Sequence, residues 1–145
     1  MLFRGKPLES INESDLQSLI ENGVAESKTI EYKLKLPADS EADKKEFLAD
    51  ASSFANASGG HLIYGIKASE AIAEEVTGLE ITNSVDSEIL RLEYIIRDGI
   101  SPRIIGVKIH PIKLHNSKFV IAIEVPQSWL MPHMVVFKNL SRFFS

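Results

Sequence analysis

Apolar residues recur along this chain at helical spacing in three stretches and at every second position, or in short unbroken runs, in several others. Asn12 heads the first helical stretch: it can cap a helix with Asp15 in its first turn, Leu16, Leu19 and Ile20 on one face, and Gly23 as the stop. A second begins after Ser40, whose hydroxyl can take an orphan amide with Asp43 three residues on. Phe47, Leu48, Ala51, Phe54 and Ala55 continue it at helical spacing until Gly59 and Gly60 end it. The third runs from about Ser84 to Asp98 with Val85, Ile89, Leu92, Ile95 and Ile96 inward, Asp86 and Glu88 near its start and Arg97 near its end; Gly99 and Pro102 close it.

Strand-like patterns fill the gaps. Ile30, Tyr32, Leu34 and Leu36 alternate with Glu31, Lys33 and Lys35, which predicts a strand with one face in a core and a charged face in water. The run from His61 to Ile66 is nearly all apolar, as a central strand covered on both sides requires. Ile104 to Leu114 and Lys118 to Val125 read as a hairpin around His115, Asn116 and Ser117. Val135, Val136 and Phe137, followed by Ser141, Arg142, Phe143 and Phe144, predict a last strand pair, and long loops are expected over Ala68 to Glu75 and Gln127 to Pro132. The expected fold is therefore α+β, a mixed or antiparallel sheet packed with about three helices. It forms a single domain over residues 1–145, with a helical N-terminal segment (1–23) and a main body (24–145).

Composition narrows the chemistry. One hundred and forty-five residues suffice to bury roughly two thirds of the unfolded surface. There is no cysteine, so disulfides, thiolate zinc sites and cysteine nucleophiles are excluded. Met1 to Lys6 has no signal-like apolar core, and no apolar run approaches the roughly 20 residues of a membrane span, so a soluble, cytoplasmic protein is expected. The net charge of −4 argues mildly against a polyanionic partner, but residues 1–100 sum to −9 and residues 101–145 to +5, an asymmetry that suggests separate acidic and basic faces. His61, His110, His115 and His133 show no ligand spacing. The apolar loop residues Trp129, Met131, Pro132 and Met134 are expected to serve core or dimer packing ahead of stacking on a base.

Two groups of residues carry candidate chemistry. Lys33 and Lys35 are expected to share the outer face of their strand, and the following helix opens with its amide dipoles, Lys44 and Lys45. With Lys28 these form a candidate cradle for phosphates. Glu26 and Glu31 are a candidate carboxylate pair, convergent only if Glu26 lies in the turn before the strand. Gly59 and Gly60 do not read as a phosphate loop, because they follow a helix and no Gly-x-x-x-x-Gly-Lys-Ser/Thr is present. A helix stop followed by close strand packing is expected, with Asn56 bonding at the helix end, and ATP binding is disfavoured.

The run Glu26-Ser27-Lys28-Thr29-Ile30-Glu31-Tyr32-Lys33, followed by Ser53-Phe54-Ala55-Asn56-Ala57-Ser58-Gly59-Gly60-His61-Leu62-Ile63-Tyr64-Gly65-Ile66, resembles the Schlafen AlbA_2 domain, also called the divergent AAA-4 or RecG-like DNA-binding domain. The resemblance runs from about Leu16 to the last residue. It sets Lys33 at the lysine of the family's Glu-aromatic-Lys motif, with Asn56, Gly59, Gly60 and Gly65 as motif positions. It implies a nucleic-acid-binding module of a transcriptional-regulator-like protein, DNA ahead of RNA, acting as a homodimer, with Lys28, Lys33, Lys35, Lys44, Lys45 and Arg142 as contacts. It also suggests truncation from a longer protein with an effector part. In the ribonuclease members, two acids at the spacing of Glu26 and Glu31, with a third after the second strand, resemble a cluster for Mg²⁺ or Mn²⁺ that activates water. Here Lys67 stands where relatives commonly place Asp, and Glu70 is the first carboxylate. A metal-dependent endoribonuclease is therefore the alternative reading, with a protein-interaction domain as a third, and the expectation is that no cofactor is bound.

Overall fold

The computed structural model describes residues 2–130, 132–136 and 142–143. Three α-helices form where the apolar spacing and caps place them: α1 (Glu13–Glu21), α2 (Glu41–Asn56) and α3 (Val85–Gly99). The cap side chains act as expected. Asn12 accepts from the Asp15 amide while the Asp15 carboxylate accepts from the Asn12 amide, and Ser40 and Ser84 accept from the amides of Asp43 and Ser87.

Four strands build the main sheet: β1 (Ile30–Lys33), β2 (Gly60–Tyr64), β6 (Lys108–Lys113) and β7 (Phe119–Val125), in the order β1-β2-β7-β6. β1 lies parallel to β2, with Ile30 opposite His61. The other pairs are antiparallel, Gly60 opposite Val125 and Pro111 opposite Ile121. The hairpin β6–β7 turns at His115, Asn116 and Ser117, where Ser117 takes a φ of 68°.

Two further small sheets complete the fold. β3 (Ile66–Ser69) pairs with β4 (Ile72–Val76), and β8 (Met134–Val135) lies between β5 (Ile100–Ser101) and β9 (Arg142–Phe143). Residues 2–10 add two short 3-10 turns, Leu2–Gly5 and Leu8–Ser10.

The sheet is covered on both sides. Leu62, Tyr64, Ile121 and Ile123 pack against Phe47, Leu48 and Ala51 of α2 and Leu92 and Ile96 of α3. On the other face Tyr32, Ile63, Val120 and Ala122 meet Phe3, Leu8, Ile11, Leu16 and Leu19 of the N-terminal segment, together with Ile66 and Ala73 of the β3–β4 hairpin. A fully buried side chain of this size contributes about 1.5–3 kcal/mol by leaving water, so the N-terminal segment is as much a part of the hydrophobic core as α2.

Three sequence expectations change. The stretch from Ala68 to Glu75 is no loop. It is the β3–β4 hairpin, turned by Glu70 and Ala71 at φ 51° and 67°, in a left-handed backbone that Asn-Gly would normally announce. The first strand ends at Lys33 rather than continuing to Leu36, and Leu34 is 48% exposed. The Gly65 amide takes the Lys33 carbonyl and the chain then turns into β3, so β1 has no partner to extend along. The charged face of β1 is only partly open to water, because α2 packs beside it. Of the expected C-terminal strand pair, β8 and β9 do pair, in antiparallel sense, while Phe137, Ser141 and Phe144, like Met131 of the apolar loop, lie outside the described residues.

Candidate nucleic-acid interface

Strand alternation puts Glu31 and Lys33 on the same face of β1, and that face lies under the inner edge of α2. There the Lys33 ammonium sits 3.4 Å from Glu31 Oε1, 3.7 Å from Glu46 Oε1 and 3.5 Å from Asp50 Oδ2. Burial alone would lower the Lys33 pKa; the carboxylates, Asp50 foremost, reverse this and raise it. One ammonium is shared among three acids, so the match is unequal. Asp50, pushed up to about 6 by burial and then by the charge of Glu31, is only partly drawn back by Lys33. The neighbouring Tyr64 hydroxyl is also raised, by burial and by these carboxylates. Lys33 is therefore held inside the molecule by its own acids. The expected outward pair of Lys33 with Lys35 does not form.

Glu26 and Glu31 do not converge. Glu26 lies in the turn before β1, as a shared site would require, but its Oε2 accepts from the Tyr32 backbone amide at 3.0 Å. That amide faces the open edge of the sheet, whereas Glu31 faces α2. Burial and then the Glu26 charge raise the Tyr32 hydroxyl to about 12, and that hydroxyl donates to the Val24 carbonyl. Glu70 sits exposed at the tip of the β3–β4 turn, and Lys67 on β3 stands opposite Glu75. Among the described residues no set of three His, Asp or Glu side chains is placed to hold a metal ion. The residues present do not fit the Mg²⁺ or Mn²⁺ centre, and no chemistry is routed through one.

The start of α2 is no anion cradle. Its Asp43 amide is already answered by the Ser40 hydroxyl, Glu41 and Asp43 put negative charge in the first turn, and the Asp43 carboxylate also accepts from the Ala38 amide. What remains is ammonium charge. Lys35 and Lys45 are exposed, Lys44 is half-buried, and none of the three has an ion-pair partner among the described residues; the same is true of exposed Lys28. By contrast Lys6, Lys108 and Lys118 pair with Asp15, Glu9 and Glu80. Arg142 falls in β9, away in sequence and sheet from this corner.

The glycines and Asn56 do what the sequence suggested. Gly59 takes a φ of 78°, and a Cβ there would come within 2.7 Å of the Gln127 amide. On Gly60 it would sit 2.7 Å from the Phe54 ring and 2.9 Å from the Thr29 carbonyl, so the end of α2 and the start of β1 approach closely because Gly60 lacks a side chain. Gly65, at φ 104°, turns the chain from β2 into β3. Asn56 accepts from the His133 amide at 2.8 Å and donates to the His133 carbonyl at 3.1 Å, tying the end of α2 to the segment before β8.

Asp50 and Glu46 were not anticipated. Their signal was their spacing, four residues apart on α2 beside Phe47 and Ala51, at the margin of the apolar stripe where a side chain turns toward the sheet.

The sequence profile of the family described as Schlafen, AlbA_2 matches residues 26–144. Among solved structures, the chain is similar to the crystal structure of the DIP2311 protein from Corynebacterium diphtheriae, with a TM-score of 0.52 and 15% identity. The likeness covers 88% of this chain and 28% of that one, and at such identity it concerns the fold alone. No curated protein matches the sequence.

Proposed function

Because the chain belongs to the Schlafen AlbA_2 family, we propose that it is a nucleic-acid-binding module of a transcriptional-regulator-like protein, with DNA as the preferred partner over RNA. One observation carries the reading beyond the family. Lys35, just after β1, and Lys44 and Lys45, in the first turns of α2, have no ion pairs among the described residues, while the neighbouring Lys33 is neutralised by its own acids. Free ammonium groups release counterions when they meet phosphates. Lys28 and Arg142 extend the same reading, Lys28 from the turn before β1 and Arg142 from β9.

No helix among the described residues is long and apolar enough to cross a membrane. Pairing of two copies would double the phosphate contacts, and Trp129 and Leu130, 85% and 55% exposed, are the surface proposed to mediate it. Light scattering that shows only the 16.1 kDa species at high concentration would reject the homodimer.

The binding test is a salt titration with labelled DNA and RNA. Each substitution of Lys35, Lys44 or Lys45 by Ala that removes one phosphate partner should reduce the log–log salt slope by about 0.7–0.9. Lys33→Ala should leave that slope unchanged. Absence of binding at low salt would leave protein interaction as the better reading, and a slope that responds to Lys33 alone would move the interface.

A further inference from the structure

A trough runs along Gly59 and Gly60 on the far side of the sheet from the lysine corner's ion cluster. It consists of two adjoining cavities of about 740 and 360 Å³ that share Phe3, Lys6, Ser58, Gly59, Gly60 and His61. Each falls in the size range of small-molecule sites. One wall is built by the N-terminal segment, which precedes the family match at residue 26.

The ionisable groups of the trough face one another in pairs. Lys6 Nζ is 3.0 Å from Asp15 Oδ2, and His61 Nε2 is 3.1 Å from Glu124 Oε1. Among the described residues lining it, no cation is left unpaired for a phosphate. The remaining lining is apolar surface from Leu19, Val24 and Ile30, the Phe3 ring set edge-on to His61 at 5.9 Å, and neutral hydrogen-bonding groups. Of these, the Asn22 amide at the end of α1 and the Ser58 hydroxyl after α2 face the trough from opposite sides and make no side-chain hydrogen bond among the described residues. Apolar faces with donors and acceptors at the rim match an uncharged, flat heterocycle with a polar edge, and a carboxamide can both donate to and accept from such an edge.

Thr29 lines the trough, and exposed Lys28 precedes it in the chain. A phosphate held by Lys28 would therefore stand at the mouth of a cleft suited to its own base. We propose that this cleft takes one unpaired nucleobase, so that the module prefers single-stranded nucleic acid to duplex. The inference rests on the nucleic-acid reading and adds to it the state of the strand.

The test compares short single-stranded and duplex DNA carrying 2-aminopurine, by fluorescence, for the wild type and for Asn22→Trp and Ser58→Trp. These two exposed positions fill the cleft from opposite walls, and circular dichroism reports on their folding. Stacking of one base is worth roughly a tenfold change or more. The single-strand affinity should fall by about that factor relative to the duplex affinity, with loss of the fluorescence change. Equal affinity of wild type for both strand states, or variants that lower both alike, overturns the inference and leaves the nucleic-acid reading standing. If the wild type binds neither polymer, the functional reading fails, and titration with adenosine followed by amide chemical shifts decides the cleft. Saturable shifts at Thr29, Ser58 and Gly60 support it, and their absence overturns it.

Discussion

Replacing Asp50 with asparagine removes one charge from the interior with almost no change in shape, and the outcome can be worked from the ion cluster beneath α2. In the folded protein the Asp50 carboxyl is raised from 3.8 to about 6, mainly by burial. A raised acid holds its proton in the folded state where the unfolded chain has lost it. Its stabilising contribution is therefore complete below the unfolded pKa and is lost as pH rises through the folded one. Above that window the ionised carboxylate costs on the order of 3 kcal/mol. The neutral carboxamide would avoid that cost, which already counts the attraction of Lys33, but it would bury an amide group where the Asp50 Oδ2 has no hydrogen-bond partner among the described residues, an offset of about 1 kcal/mol. Asp50→Asn should therefore be more stable than wild type by about 1–2 kcal/mol near pH 8. The gain should shrink through about pH 6 and vanish near about pH 4, where both proteins carry a neutral group. Urea unfolding of both proteins across this range measures the difference directly, since groups common to the two cancel. A variant less stable than wild type at alkaline pH, or a difference that does not vary with pH, would show that Lys33 holds Asp50 far more firmly than the geometry implies.

Three further substitutions test separate parts of the structure. Gly60→Ala brings a methyl group to 2.7 Å from the Phe54 ring and 2.9 Å from the Thr29 carbonyl; a loss of about 1–3 kcal/mol in urea unfolding is expected, and an unchanged midpoint would mean that the junction gives way freely. Glu26→Ala leaves the Tyr32 amide without its acceptor and should cost about 1 kcal/mol, whereas Glu26→Gln, which keeps an acceptor oxygen, should recover most of it. Equal losses for the two would assign the effect to charge rather than to the hydrogen bond. Asn56→Ala removes both bonds to the His133 backbone and should destabilise by about 1–3 kcal/mol, with hydrogen exchange at the His133 amide accelerating by more than at the centre of β7.

Much of the fold is legible from local chemistry. Asn12, Ser40 and Ser84 announce three helices because a cap is a short-range interaction, and the unbroken apolar run from His61 to Tyr64 marks a strand with neighbours on both sides. The β3–β4 hairpin escapes such reading because Glu70 and Ala71 adopt left-handed backbone without the glycine or asparagine that usually signals it. The ion cluster escapes it for a different reason. Alternation along β1 says that Glu31 and Lys33 share a face, but not that α2 covers that face. Whether a charged strand face meets water or a helix is decided by packing between segments far apart in sequence. Lys33 thus looks like a phosphate contact until Asp50 and Glu46 are brought to it. The trough along Gly59 and Gly60 is equally invisible in the sequence, since its far wall comes from residues near the start of the chain.

Each border of the main sheet carries an interruption to further strand pairing. On β1 the outward Tyr32 amide is already occupied by Glu26, and on β6 the strand contains Pro111, which has no amide to offer. Strand-by-strand growth, the route by which exposed sheets recruit copies into fibrils, meets an interrupted ladder at either side. The same interruptions favour a partner, whether another copy or a different protein, met by side chains over one added as an extra strand of this sheet. Glu26→Ala opens one of those borders, so the same substitution that slightly weakens the fold should raise the concentration-dependent uptake of amyloid-reporting dyes.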